Sequence, residues 1–388
     1  MTDSTRSGAR THRVSARVRR RRRLAVFVSA VVLVAAVVTT VSVIAAARGG
    51  SDAAAAPSAA ASSRATPTPS ATPLTASQQL LETTDDPQAC AVSFAGEGVA
   101  DQPMLQTQGM LYSGLPIPQR DGLVFAGWYA TPEDAAAFAI PSRLNGSELV
   151  ACTDQQITLH GSWKTPDENA AENAQIPIMM YHQFTTRPEG EDGWLRGNYA
   201  YIGDFDAHMN HIATGGFYLP TWDELSAFID GRLWLPTHSV IITDDDADQT
   251  WFDLAAPVVD KYKLLATSFM ITAYRQDAAP NPYVLRRSHT NDMHQAGANG
   301  QGRMVNWTAD EISADLEASA AVLGVKEVIA YPYGHYNDTA KQGVAQAGFE
   351  LARTIEPGYV SIGTDKLALP VIRVNYGMNV DAITSLIG

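Results

Sequence analysis

From residue 176 onward, short apolar runs alternate with longer segments of mixed polarity. IPIMMYH, SVIIT, LLATSFMIT and KEVIAY read as buried strands, with a late one in LPVIRVNYG. Between them lie PTWDELSAFIDG, TWFDLAAPVVDKYK, WTADEISADLEASAAVLG and NDTAKQGVAQAG, which read as helices. TWFDLAAPVVDKYK repeats apolar residues at about the helical period. Thr221 with Glu224, and Thr308 with Glu311, have capping-box spacing, and Gly348 stands just past a helix end. Continuous β-branched runs separated by helices predict parallel strands covered by helices, an α/β fold over residues 176–388. In barrels of this kind chemistry gathers at the C-terminal ends of the strands.

Upstream, the pattern changes. ACAVSFAGEG alternates apolar and small residues before a glycine turn, and VFAGWY and ITLHGSW follow, so residues 85–165 predict a small β-rich module. This module resembles the internalin-type B-repeat, which is β-grasp-like, through Pro118, Arg120, Gly122, Phe125, Gly127, Trp128, Tyr129 and the closing strand Ile157–Trp163. Trp128 and Trp163 are expected in its core, because so small a domain needs large apolar side chains inside. A sugar platform is the other reading of the two. The module as a whole reads as a spacer or adhesion element.

Ahead of it, residues 1–23 form a basic tail with arginine from Arg19 to Arg23. Residues 24–47 carry no charge. As a helix they would extend about 36 Å, enough for a hydrocarbon core of ~30 Å. They predict a single-pass transmembrane anchor, tail in the cytoplasm and remainder outside. A cleaved signal peptide is the alternative, although its apolar core usually spans only about 7–15 residues. Residues 48–84 are rich in Ala, Ser, Thr and Pro and read as a flexible linker.

Charge changes the picture once the leader is set aside. Residues 1–48 hold ten Arg and one Asp, so −13 for the chain less their +9 leaves −22 for the remainder. That argues against nucleic acid as a partner. Cys90 and Cys152 are the only cysteines, and outside the membrane they predict a disulfide.

Four polar clusters follow from that rule: Tyr181-His182 ends one predicted strand, Asp244-Asp245-Asp246 another, His289 to His294 lie just beyond a third region in RRSHTNDMHQ, and Tyr331 to His335 end a fourth. Histidines and a carboxylate at one barrel mouth suit a divalent metal with positions left open for water. The motifs resemble those of the polysaccharide deacetylases of the NodB-homology type, carbohydrate esterase family 4. Thr243-Asp244-Asp245-Asp246-Ala247 matches T-F-D-D-G, Ser288-His289-Thr290 with His294 matches the histidine pair, and Pro332-Tyr333-Gly334 matches the third turn. The resemblance extends to the YPYG branch, which includes exported poly-N-acetylglucosamine deacetylases.

The resemblance implies a distorted (β/α) barrel, with Asp246, His289 and His294 holding a divalent metal, Zn²⁺ by expectation, and Asp245 as general base. It implies an oxyanion donor in the backbone N–H of Tyr333. For the general acid His182 is preferred over His335. Ala330 stands where the family has an arginine, so Arg373 is the expected partner of Asp245. Asp244 replaces a hydrophobic residue and Ala247 a glycine. The expected substrate is a cell-envelope or extracellular polysaccharide bearing N-acetyl or O-acetyl groups, an N-acetylglucosamine polymer favoured. The chain is expected to act as a monomer on the outer side of a bacterial membrane. The rival reading is a catalytically impaired surface domain that binds glycan.

Overall fold

The computed structural model describes residues 73–274 and 280–388. The basic tail, the 24–47 anchor and most of the linker lie outside the described residues. Among the described residues, no helix is long and apolar enough to cross a membrane.

The first sheet has five strands: β1 (Ala89–Ala95), β2 (Met104–Thr107), β3 (Val124–Tyr129), β4 (Arg143–Leu144) and β5 (Gln156–Lys164). Their order is β2-β1-β5-β3-β4, with β1 and β5 parallel and the other pairs antiparallel. Cys90 and Cys152 are disulfide-bonded, tying β1 to the segment that precedes β5. Trp128 is buried, and Phe125 meets both Trp128 and the half-buried Trp163 edge-on.

The barrel follows. Strand β6 (Ile178–Tyr181) opens it, β7 (Gln183–Thr185) and β8 (Tyr199–Tyr201) form a small separate pair, and β9 (Ile241–Asp246) rejoins it. Four strands come next: β10 (Ala266–Met270), β11 (Val284–Ser288), β12 (Val328–Ala330) and β13 (Leu351–Pro357). β14 (Leu369–Arg373) completes the set. The closed order is β10-β11-β12-β13-β14-β6-β9, parallel throughout. β11 and β12 are paired only at Ser288 and Ile329, so the wall opens below that point. Both predicted capping boxes are present, starting the helices Trp222–Ile229 and Ala309–Leu323. Gly348 has φ +80°, as a residue just past a helix end requires. Five helices, Ala76–Leu81 inside the expected linker, Pro132–Ala137, Pro166–Ala171, Ile202–Gly215 and Val380–Ile387, have no counterpart in the predicted elements.

The small sheet is not an isolated spacer. Its Phe94, Phe125, Trp128 and Leu159 lie in one core with Trp222, Phe228, Leu351 and Val371 of the barrel domain. A buried polar knot crosses the same boundary. Glu224 accepts from Arg143 at 3.3 Å and from Tyr218 at 2.6 Å, with Asn145 and the Thr221 N–H on its other oxygen. The Arg143 guanidinium also lies over the rings of Tyr218 and Trp234. Removing one partner of such a pair leaves a buried charge uncompensated. Glu224→Ala should therefore destabilise the chain by about 3–5 kcal/mol, read as a lower midpoint in urea unfolding.

Candidate active site

The run Asp244-Asp245-Asp246 ends β9, and strand alternation sends its members in different directions. Asp244 pairs across the sheet with Tyr181 and Ser268 and is fully buried on the helix-covered face. Ser268 Oγ donates to its Oδ2 at 3.3 Å, and among the described residues Oδ1 has no hydrogen-bond partner. Burial, then repulsion from Asp245, Asp248 and Asp246, pushes its pKa well above the ordinary carboxylate value. Both effects favour its protonated form and so ease the mutual repulsion in the triplet.

Asp245 points into the barrel. Burial alone would raise its pKa, but the Arg353 guanidinium, then His182 and His289, outweigh that and hold it below the ordinary value. Arg353, on β13 and fully buried, is hydrogen-bonded to the Asp245 carboxylate. It also donates to Thr354 O at 2.8 Å and lies 5.0 Å from the Phe269 ring centre. This corrects the expectation for Arg373. That side chain is exposed at the end of β14 and donates to Asn198 at 2.7 Å, because the inward position one strand over belongs to Arg353. The signal for Arg353 was present as an arginine inside the apolar run FELARTI.

His182 follows β6 directly, and its Nε2 lies 3.6 Å from Asp245 Oδ2. Burial lowers its pKa, partly offset by Asp245 and Asp246, so it is mostly neutral near pH 7. His335, the other candidate acid, accepts the Gly302 N–H on Nδ1 at 2.8 Å.

Asp246 turns over the rim with φ 72°, and Ala247 follows with φ 49°. The alanine therefore occupies a left-handed position that a glycine would hold without strain, at a cost of about 1 kcal/mol. Asp246 Oδ1 lies 3.4 Å from His289 Nε2 and 3.2 Å from His294 Nε2. Those distances exceed the ~2.8 Å of a charged hydrogen bond, and Oδ1 has no hydrogen-bond partner among the described residues. The three ligand atoms lie within 4.8 Å of one another, as donors aimed at a common centre do. The imidazoles are prepared for it. His289 Nδ1 is engaged by Ala330 O at 2.9 Å, which turns Nε2 toward Asp246. Burial and the neighbouring His289 push the His294 pKa down to about 4, leaving a free lone pair. This donor set fits a divalent cation such as Zn²⁺.

The four residues between the two histidines are pinned from outside. Asp315, buried on the helix Ala309–Leu323, accepts the N–H groups of Asn291 at 2.7 Å and Asp292 at 3.0 Å. Ser288 Oγ accepts the Thr290 N–H at 3.0 Å, and Thr290 adopts φ 70°. Asp315→Ala should weaken binding of a divalent cation by this cluster about 10–100-fold, as loss of an outer support does. Competition with a chelating dye would measure it, and Asp315→Asn should recover part of the loss. The Tyr333 ring packs 4.1 Å from that of His294, with its own backbone at φ 58°.

Residues 235–352 match the family model described as polysaccharide deacetylase. Over these residues the barrel is similar to polysaccharide deacetylases. Among relatives of the deacetylase barrel, the putative polysaccharide deacetylase YxkH of Bacillus subtilis is 24% identical over 273 residues, covering 62% of this chain and 93% of that one. The poly-β-1,6-N-acetyl-D-glucosamine N-deacetylase of Staphylococcus aureus MRSA252 is 27% identical over 161 residues, 36% of this chain. The match spans only 56% of that protein. A solved structure of the Streptococcus pyogenes deacetylase PplD in complex with acetate overlaps 56% of this chain and 99% of its own, with 22% identity and a TM-score of 0.48.

Proposed function

We propose that this chain hydrolyses acetamide groups of an extracellular polysaccharide, an N-acetylglucosamine polymer, using Asp245 as base beside a divalent metal held by Asp246, His289 and His294. The observation that carries the reading is the juxtaposition of an ionised, Arg353-paired Asp245 with the three-donor cluster. The Staphylococcus relative, a poly-β-1,6-N-acetyl-D-glucosamine N-deacetylase, supports the choice of polymer.

The bound cation would supply Lewis acidity, polarising the acetyl carbonyl and lowering the pKa of water. Asp245 takes the proton from the attacking water, and Arg353 keeps its carboxylate ionised and oriented while doing so. The N–H of Tyr333 donates to the developing oxyanion. Bond cleavage leaves an amine that needs a proton, and His182, 3.6 Å from Asp245, delivers it. The proton collected by Asp245 can pass to His182, which resets both groups for the next cycle.

The Arg-rich tail and the uncharged 24–47 segment support a membrane-anchored chain with its barrel outside the cell. The Cys90–Cys152 disulfide supports an oxidising compartment. The deciding assay is acetate release from poly-N-acetylglucosamine, chitin oligomers, peptidoglycan and acetylated xylan, with and without chelator. Release from the first, lost with chelator and restored by zinc, is the expected result. Glycan binding without acetate release would leave a binding domain in place of an enzyme.

A further inference from the structure

Few large aromatic side chains stay in solvent. Among the described residues, the exposed rings are those of Trp194, Tyr274 and Tyr333. All three stand at the C-terminal rim of the barrel. Trp194 lies in the stretch between β7 and β8, just past β6, while Tyr274 follows β10 and Tyr333 follows β12. Asp245 and Asp246 end β9, and the neighbours of β9 in the closed order are β6 and β10. The segments that carry Trp194 and Tyr274 therefore leave the rim on opposite sides of the two carboxylates. Exposed apolar surface gathered in one place marks an interaction site.

Both segments are held in place. The N–H groups of Thr272 and Ala273 donate to Thr290 O at 3.1 Å and Asn291 O at 3.0 Å, which ties Tyr274 to the stretch between His289 and His294. The Tyr274 hydroxyl donates to Asp292 Oδ1 at 2.9 Å and accepts from Gln295 Nε2 at 3.0 Å. Its polar end is thus engaged while the residue stays 63% exposed. On the other side, the Tyr376 hydroxyl donates to Pro188 O at 2.7 Å, and Arg196 lies 4.5 Å from the Tyr376 ring centre. Arg373 holds Asn198 in the same stretch. Between these anchors Trp194 is 91% exposed, and among the described residues its indole has no hydrogen-bond or ring partner. A ring carried on held backbone loses little freedom when a ligand covers it. The CH-bearing face of a hexosamine is apolar and matches the face of such a ring.

We propose that Trp194 and Tyr274 are stacking platforms for the sugar units on either side of the one whose acetyl group lies at Asp245, with Tyr333 beside that central unit. The barrel then takes an internal stretch of the polymer, at least three units long, rather than a chain end. The proposal rests on the deacetylase reading, which puts a sugar at Asp245, and adds to it how much of the polymer the site holds.

Calorimetric titration of the full chain with N-acetylglucosamine and with its β-1,6-linked tetramer tests this, with chelator present so that no acetate is released. The tetramer should bind at least about tenfold more tightly than the single unit, and Trp194→Ala and Tyr274→Ala should each weaken tetramer binding about tenfold. Tyr274→Phe, which keeps the ring, should retain most of the affinity. A tetramer that binds no better than the single unit would overturn the proposal. So would alanine variants that bind it as the natural chain does, or a Tyr274→Phe variant that loses as much as Tyr274→Ala. Dye competition on Tyr274→Ala should show a natural affinity of the Asp246, His289 and His294 cluster for a divalent cation. A fall there would also overturn the proposal, because the tyrosine would then serve the ligand stretch and not the sugar. Binding needs no turnover. A chain that releases acetate yet binds both sugars equally refutes the platforms alone, and binding through both rings without acetate release supports the platforms while refuting catalysis.

Discussion

Asp245→Asn should lower kcat for acetate release by about 10²–10⁴-fold, the range supplied by a positioned general base. Asparagine keeps the size of the side chain and can still accept from Arg353, but it cannot take a proton from water. Asp246, His289 and His294 retain their own supports in Ala330 and Asp315. Affinity of the cluster for a divalent cation should therefore stay within a few-fold of the natural chain. Single-turnover rates and dye competition on the same preparation separate the two effects. A variant that keeps its rate would remove Asp245 from the base role.

Arg353→Met should act on both stability and rate. The guanidinium is fully buried against a nearly buried carboxylate, so its removal leaves Asp245 charged and unpaired. A loss of about 3–5 kcal/mol is expected near pH 7. The sign of its pH dependence follows from linkage. The folded pKa of Asp245 lies below its ordinary value, so the pair stabilises the natural chain above that ordinary pKa and the benefit fades as pH falls through the lowered one. Without Arg353 the burial effect goes unopposed and the pKa rises. The destabilisation should consequently shrink as the pH is lowered, because a protonated Asp245 carries no unpaired charge. The acid limb of kcat/KM should move to higher pH for the same reason. Chemical unfolding at two pH values and a pH-rate profile measure these outcomes. The double variant Arg353→Met with Asp245→Asn should recover part of the stability. An acid limb that does not move would mean that another group sets the base's ionisation.

Local chemistry made much of the barrel legible. Apolar runs and capping boxes are short-range signals, and β6, β9, β10, β12 and the helices Trp222–Ile229 and Ala309–Leu323 follow them. The helix Ile202–Gly215 was harder to read: its first turn has no side-chain cap, and polar and apolar residues are interspersed in IGDFDAHMNHIATG. Asp245 and Asp246 were legible in the sequence as strand-end groups, and His289 and His294 through their motif spacing.

The side-chain directions were not. Arg353 reaches Asp245 and Arg373 does not, although the two are 108 and 128 residues away in sequence and both stand in late strands. Which one faces inward depends on pleat and barrel closure, and these are set by pairing between distant strands. The raised pKa of Asp244 likewise depends on what covers it, since burial against the helix layer is a property of packing. The union of the small sheet with the barrel base arises from two apolar surfaces meeting far apart in sequence. The sequence by itself determined which groups stand at strand ends. Only tertiary structure decided which of them share a dielectric environment, because charge, burial and distance are properties of neighbours in space.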